Sequence, residues 1–558
     1  MQVVKKIKKA STTGRGRVIL GAICLTIAAI IVGGILFWKL YKKKIIREQL
    51  EAAVKKKTGG MYKVSYEKLE LDELNGFLSV QDFLLTYDST VLQNAGDNAP
   101  AAVFIIAIPR ITITGVKTPR ALLEKEIVGS ILALDQPVIS LFYTGKGKDT
   151  VRATPDKAVY EQILGNLNLI RLDSIYIRNG TISTARLGKT QKALELNRVN
   201  ITLGDIAVDS TANADTTRLL FSRSLIASCS RFSWRSAVKP YEYAVDSIAV
   251  HSPSSSVFIK SFSVNPLLGE DAFVKSLPTQ DDRFDFLLKD IHVTGVNMPA
   301  LLSEKIWADS MYIAGASFKI YRDLSVARDK KNRVGTYPHQ AIAKIPLPFN
   351  LKKMIVGNAY VEYKEKNPRT NQAGKVRFQQ AYATITNITN QPGTGQNQMT
   401  VHIQTRFLNK TALTTTWKFY LFHPRGRFDV KGSLGSIPAT QVNELTRPMG
   451  PADIEDGMIN HLSFNLAGDD YGMNGEVKFL YKNLKVGILK KDEDSKKLEK
   501  KKLASLAANI ILKNNNPSGK EEPRVITVKQ ERDTNRSIFH LSWKTLFSGI
   551  KQTAGINK

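Results

Sequence analysis

The sequence predicts a mainly β protein: an N-terminal transmembrane helix, then an antiparallel β-sheet containing a duplicated unit, with a few short helices and C-terminal helices. Three observations lead there. An uncharged apolar run stands near the N-terminus, strict apolar–polar alternation fills much of the remainder, and one long stretch is written twice.

The apolar run, VILGAICLTIAAIIVGGILFW (Val18 to Trp38), is 21 residues without a charge. At 1.5 Å per residue it crosses roughly 30 Å of hydrocarbon. Trp38 and Tyr41 form an interfacial aromatic pair at its end, and LFWKLYKKK replaces the small residues that a cleavage site needs. The run reads as a signal anchor through Val18, Ile30, Trp38 and Tyr41. Its N-side carries Lys5, Lys6, Lys8, Lys9, Arg15 and Arg17 with no acid, whereas Glu48 and Glu51 dilute the basic residues of its C-side. That bias favours a cytoplasmic N-terminus with the bulk of the chain exported.

Charge and composition bound the function. The 558 residues carry 80 Lys+Arg against 50 Asp+Glu, a formal charge of +30. Residues 1–57 alone hold 14 basic and 2 acidic side chains. They form a membrane flank, and the rest is diffusely basic. No zinc spacing, RRM-like aromatic motif or base-reading basic helix accompanies the charge, so nucleic acid is not an expected partner. A basic face beside anionic lipid explains it equally well. Cys24 and Cys229 are poor partners for a disulfide, which excludes a disulfide scaffold and a Cys-based zinc site.

Beyond a short helix (45–57) and the Gly59-Gly60 break, period-2 patterning sets in. In MTVHIQTRF, Met399, Val401, Ile403, Thr405 and Phe407 share one face, and Thr400, His402, Gln404 and Arg406 the other. LTTTWKFYL repeats this with Leu413, Trp417, Phe419 and Leu421. One apolar and one wet face means antiparallel sheet. The apolar face needs a cover: a second sheet, helices or a ligand. Val401, Ile403, Phe407, Leu413, Trp417, Phe419 and Leu421 are the candidate lining.

The echo is ITGVKTPRALLEKEIVGS (Ile113 to Ser130) and VTGVNMPALLSEKIWADS (Val293 to Ser310). It extends both ways. FIIAIPRITITGV (Phe104 to Val116) matches FDFLLKDIHVTGV (Phe284 to Val296), and IYIRNGTIS (Ile175 to Ser183) matches MIVGNAYVE (Met354 to Glu362), at offsets of 180 and 179. Such a period is too long for a β-helix rung or a propeller blade. In each copy T-G-V ends a strand and a proline (Pro119, Pro299) opens a helical turn that redirects the chain.

At this point the sequence resembles a known family. GGMYKVSYEKLELDELNGFLSVQDFLLTYDS (Gly59 to Ser89), whose second strand ends at the acidic Asp88, is similar to the start of the AsmA-like proteins of the Gram-negative envelope. GNAYVEYKEKNPRTNQAGKVRFQQAYATITNITN (Gly357 to Asn390) resembles their middle β units, and FHLSWKTLFSGIKQTAGINK (Phe539 to Lys558) their C-terminal end. The resemblance implies an elongated, curved sheet whose concave face is an apolar groove. In the related translocation-and-assembly and bridge-like proteins such grooves carry phospholipid acyl chains between membranes. It thereby implies phospholipid or another envelope lipid as ligand, the inner membrane as anchor site, a periplasmic bulk, and envelope protein partners.

No constellation supports an enzyme. None of His251, His292, His339, His402, His423, His461 and His540 has a metal ligand at helical spacing. GKGK (Gly145 to Lys148) lacks the phosphate-loop spacing, and no G-x-S-x-G occurs. Asp281-Asp282 and Asp469-Asp470 fall in turn-like, solvated contexts. The expectation is no catalytic residue, no metal and no cofactor.

Two C-terminal stripes remain. Leu503, Leu506, Ala507, Ile510 and Ile511 follow helical spacing behind a Lys-rich start, as a cap on the sheet or a basic amphipathic helix on a membrane. NNNPSGKEEP (Asn514 to Pro523) reads as a flexible linker. Trp543, Leu546, Phe547 and Ile550 then form a second stripe, as a packed core helix or a contact to a membrane or partner. The resulting segments are 1–17 (basic tail), 18–38 (anchor), 39–60 (membrane-proximal helix), 61–235 and 236–395 (the two β units), 396–490 (C-terminal strands), 491–513 (amphipathic helix) and 514–558 (linker and amphipathic end). The function expected is a membrane-anchored envelope protein binding lipid in a β groove, in phospholipid transport or outer-membrane biogenesis. The alternative is a membrane-anchored periplasmic scaffold or assembly factor binding protein partners without lipid.

Overall fold

The computed structural model describes residues 51–555 other than 53, 56–57, 73, 118–123, 146–158, 165–166, 190–191, 237, 369, 394–396, 450–451, 492–497 and 502–512. The anchor with Val18, Ile30, Trp38 and Tyr41, the Pro119 turn and the stripe from Leu503 to Ile511 lie outside the described residues. Among the described residues no helix is long and apolar enough to cross a membrane. The chain divides into two compact units. Of the described residues, the first takes those within 51–238, 244–260 and 297–303, and the second those within 239–243, 261–296 and 304–555.

In the first unit β1 (Tyr62–Ser65) and β2 (Lys68–Asp72) both pair antiparallel with β3 (Phe77–Tyr87). Asp88 ends this strand because its carboxylate caps α1 (Ser89–Asn94), accepting from the Thr90 and Val91 amides at 2.9 and 3.2 Å. β4 (Ala102–Thr114) follows β3 and pairs with both β5 (Glu126–Asp135) and β6 (Val138–Tyr143). A crossover through α2 (Val159–Leu164) leads to β7 (Leu169–Arg186), and β8 (Lys192–Val208) returns antiparallel. After α3 (Ser210–Ala214), β9 (Ser222–Cys229) pairs with β8; β10 (Phe232–Arg235) and β11 (Tyr241–His251) follow, and β11 pairs with β9. The apolar face of this unit is filled by its own side chains. Ile111, Leu132 and Leu172 are each 1% exposed and pack in one core with Val80, Ile108 and Ile206.

Next come β12 (Ser256–Pro266), α4 (Glu270–Lys275) and β13 (Arg283–Thr294). α5 (Met298–Leu302) is capped by Asn297, whose side-chain oxygen accepts from the Ala300 amide at 2.9 Å, with Pro299 in its first turn. In the second unit β14 (Ile306–Asp323) pairs antiparallel with β13. It crosses over through α6 (Pro338–Ala343) to β15 (Phe349–Asn367). β16 (Gln372–Thr389), β17 (Gln398–Phe407), β18 (Thr411–Tyr420) and β19 (Phe428–Leu434) then meander. β20 (Ile437–Pro438) and α7 (Asn443–Met449) lead to β21 (Ala452–Gly468) and β22 (Gly472–Lys491). β21 pairs with β19, and β22 takes both β23 (Leu498–Lys501) and β24 (Val525–Glu531) before the closing helix α8 (Ile538–Thr553).

Three expectations need correction. The sheet is mixed, not antiparallel: β5 and β6 run parallel to β7, and β14 runs parallel to β15. A strand that leaves through a long helix-bearing connection re-enters at its starting end, whereas a short turn reverses it. The Lys-rich start of the span read as an amphipathic helix holds the strand Leu498–Lys501, paired with Ile488–Lys491, while the stripe itself lies outside the described residues. Thirdly, the linker at Asn514 to Pro523 is fastened. Asn516 is fully buried; its backbone bridges Tyr481 in both directions and its side-chain amide donates to the Phe479 carbonyl at 2.6 Å. An asparagine side chain supplies the donor and acceptor of a missing strand residue, which composition alone does not show.

The two matched stretches are built alike. In β5/β6–β7 and in β14–β15 every parallel pair joins residues 43 apart, Glu126↔Leu169 in one and Ile306↔Phe349 in the other. The β7–β8 ladder is disturbed at Ile177/Gly180 and Gly180/Ile182, and the β15–β16 ladder at Val356/Ala359 and Ala359/Val361. Asn179 and Asn358, inside these bulges, both have positive φ (52° and 44°). Gly115 and Gly295 both end their strands at positive φ (71° and 65°), and a Cβ would run into Ser130 at the first and Asp309 at the second. Gly115→Ala and Gly295→Ala are each expected to lower stability by about 1–2 kcal/mol, from left-handed backbone strain plus crowding. Denaturant titration of the two variants checks this, and unequal losses would show the corners to differ.

Candidate ligand-binding face

Pairing register decides which side chains share a face, because directly opposed residues point the same way. One line of opposed residues in the second unit reads Val293, Met311, Met354, Ile385, Val401, Trp417, Val430, Leu466, Gly475 and Val528. A line two residues along reads Ile291, Ile313, Val356, Ala383, Ile403, Thr415, Gly432, Phe464, Val477 and Ile526. Neither carries a charge. The line between them, on the opposite face, runs His292, Tyr312, Ile355, Thr384, His402, Thr416, Lys431, Asn465, Glu476 and Thr527. There the His402 ring meets the Thr416 hydroxyl at 3.0 Å and Gln404 at 3.3 Å.

The apolar face is not uniformly covered. From Val293 to Trp417 the first line is half-buried, while Val430, Leu466 and Val528 are each 2% exposed. α8 provides cover at the far end. Its buried stripe is Ile538, Leu541, Thr545, Gly549 and Thr553, and a Cβ on Gly549 would stand 2.7 Å from the Val477 Cβ. The helix therefore seats closely on β22. A further half-buried group stands farther along: Phe286 meets Phe318 edge-on at 5.2 Å, and Phe378 lies 5.9 Å from Phe407. A polar border follows. Arg322 holds Asp282 in a two-pronged pair at 2.7 Å on each prong, and Tyr363 donates to Glu365 at 2.5 Å. Burial raises the Tyr363 hydroxyl well above the ordinary tyrosine range, so it remains a neutral donor.

The sequence-predicted lining falls mostly here. Val401, Ile403, Trp417 and Phe407 share the apolar face and are half-buried, as is Leu413, which opposes Thr405 and Leu434. Phe419 and Leu421 are corrections: at 5% and 4% exposure they belong to a packed core. Phe419, Phe428, Tyr337 and His339 cluster there, with the His339 and Phe419 rings 5.0 Å apart and Tyr337 edge-on to Phe428 at 5.5 Å. Sequence reasoning missed Met311, Met354, Ile385 and Phe378. Alternation in KVRFQQAYATITNIT carries the signal for the last two, but a bulge shifts the phase between Gln379 and Tyr382.

Asp470 is a second correction. It is 1% exposed, not solvated. Its carboxylate accepts from Arg532 at 2.6 Å, from Gln340 at 2.7 Å and from the Gly335 amide at 3.1 Å. The Arg532 guanidinium also lies 4.2 Å over the Tyr337 ring. This knot ties the crossover before α6 to the β21–β22 turn and the end of β24.

Trp543 and Phe547 on α8 are exposed, and Leu546 and Ile550 are half-buried. Among the described residues no cluster of three or more metal-ligating side chains occurs. No protein-family model and no curated protein matches the chain.

Proposed function

We propose that the chain is a membrane-anchored envelope protein that holds lipid acyl chains against the apolar face of its second unit and supports phospholipid transport or outer-membrane biogenesis. The observation that carries this reading is the uncharged line Val293, Met311, Met354, Ile385, Val401 and Trp417, left half-buried from β13 to β18, while Ile291, Ile313 and Val356 of the neighbouring line are buried. Six strands at about 4.8 Å offer roughly 25 Å of apolar width, against about 15 Å for one leaflet's hydrocarbon. An apolar line left half-buried over that width calls for an occupant. The first unit fills its own face with side chains, so the proposal is confined to the second. The matched corners, registers and bulges support a duplicated unit whose copies have diverged in this respect. The anchor at 18–38, a cytoplasmic N-terminus and a periplasmic bulk complete the reading.

The test is lipid content. Full-length protein, extracted and stripped of free detergent, is expected to retain phospholipid detectable by mass spectrometry. Trp417→Asp and Val401→Asp are each expected to lower that content severalfold, since a carboxylate in apolar surroundings costs several kcal/mol. Lipid-free protein, or unchanged lipid in both variants, would replace this reading with the scaffold one.

A further inference from the structure

α8 has an apolar side that its seat does not use. Phe539, Trp543 and Phe547 recur every fourth residue and are 65%, 48% and 41% exposed. Trp543 and Phe547 stack with centroids 5.8 Å apart, and Phe539 meets Trp417 edge-on at 6.2 Å. The row thus continues outward from the apolar line at Trp417. Three large aromatic rings held in water on one helix face are a cost unless something covers them.

Charge indicates what covers them. From Ile538 to Lys558 the sequence contains no acidic residue, while Lys544, Lys551 and Lys558 are basic. Lys551 lies 5.4 Å over the Phe547 ring. At the other end of the row Arg536 stands near Arg322 and Arg328; burial and these two cations lower its pKa, with Glu365 and Asp533 as the opposing acids. An aromatic row flanked by lysines matches the boundary between headgroups and acyl chains, where rings sit in the apolar layer and ammonium groups reach phosphates.

We propose that the Phe539–Trp543–Phe547 row of α8 docks on an anionic phospholipid bilayer, with Lys544 and Lys551 on lipid phosphates. This stands apart from acyl-chain carriage, because the row docks whether or not the sheet face holds lipid. Vesicle recruitment and lipid content therefore fail separately.

The experiment holds the full-length chain in nanodiscs of phosphatidylcholine and measures recruitment of vesicles by flotation. Vesicles with about one-third phosphatidylglycerol are expected to be recruited at least about tenfold better than pure phosphatidylcholine ones. The triple variant Phe539→Ser/Trp543→Ser/Phe547→Ser and the pair Lys544→Glu/Lys551→Glu are each expected to lose about tenfold in recruitment, with an unchanged melting midpoint. Brominated lipid is expected to quench the wild type more than Trp543→Phe. Absence of recruitment, equal recruitment of neutral vesicles, or full recruitment by the triple variant would overturn the proposal. A protein partner would then be the cover.

Discussion

Asp470→Ala is expected to destabilise the second unit by about 3–5 kcal/mol, the cost of leaving a buried cation without its partner. Arg532 has no route to water: its side chain is 0% exposed, against 2% for Asp470. Removing the carboxylate also strands the Gln340 amide and the Gly335 N–H that it accepts from. Asp470→Asn keeps the shape and part of the hydrogen bonding, so its loss is expected to be smaller. The double change Asp470→Leu/Arg532→Met discards both charges and is expected to recover much of the single variant's loss. Urea titration of the four proteins checks the order. If the alanine variant lost under about 1 kcal/mol, the pair would be no more than a surface salt bridge.

The second large effect is in pH. His339 is 2% exposed, neither ring nitrogen has a hydrogen-bond partner, and burial depresses its pKa to about 4, with Asp470 pulling the other way and His423 adding to the depression. The native state keeps this ring neutral, whereas the unfolded chain protonates it near pH 6.5. Stability from this group is fully present above about pH 6.5 and falls as pH drops toward about 4, by about 3 kcal/mol in all. His339→Phe is expected to remove that slope and to stabilise the protein at neutral pH, because Phe suits the Phe419 and Tyr337 rings and leaves no unpaired nitrogen. Unfolding free energies at pH 7 and pH 5 decide it. An unchanged slope in the variant would place the titration elsewhere.

Legibility followed the range of the interactions. MTVHIQTRF and LTTTWKFYL showed their two faces directly, because alternation is local and the β17–β18 pairing leaves it undisturbed. The repeat identified Gly115 and Gly295 as strand-ending corners, and both adopt the left-handed backbone. What failed was set by distant partners. Asp470 looks solvated until Arg532, 62 residues away, is brought to it. Asn516 looks like linker until Tyr481 and Phe479 supply its bonds. The difference between a filled face in the first unit and one left half-buried along Val293 to Trp417 in the second was equally hidden, since both alternate alike. Phe419 and Leu421 have the same phase as Trp417, and only the docking of Tyr337 and His339 separates core from lining.

The bulges at Asn179 and Asn358 govern the parity of their strands. Along a strand, odd and even positions belong to different worlds, one apolar and one wet. Adding two residues to a strand preserves that assignment; adding one inverts the rest of that strand, and in β17 it would set His402 among the valines. A bulge absorbs one extra residue by letting two positions face one. Both matched stretches keep theirs at the same place, so each long ladder has its own parity reset. Single-residue insertions are expected to be tolerated at Asn179 and Asn358 and in the turns, and rejected in the uninterrupted strands between them.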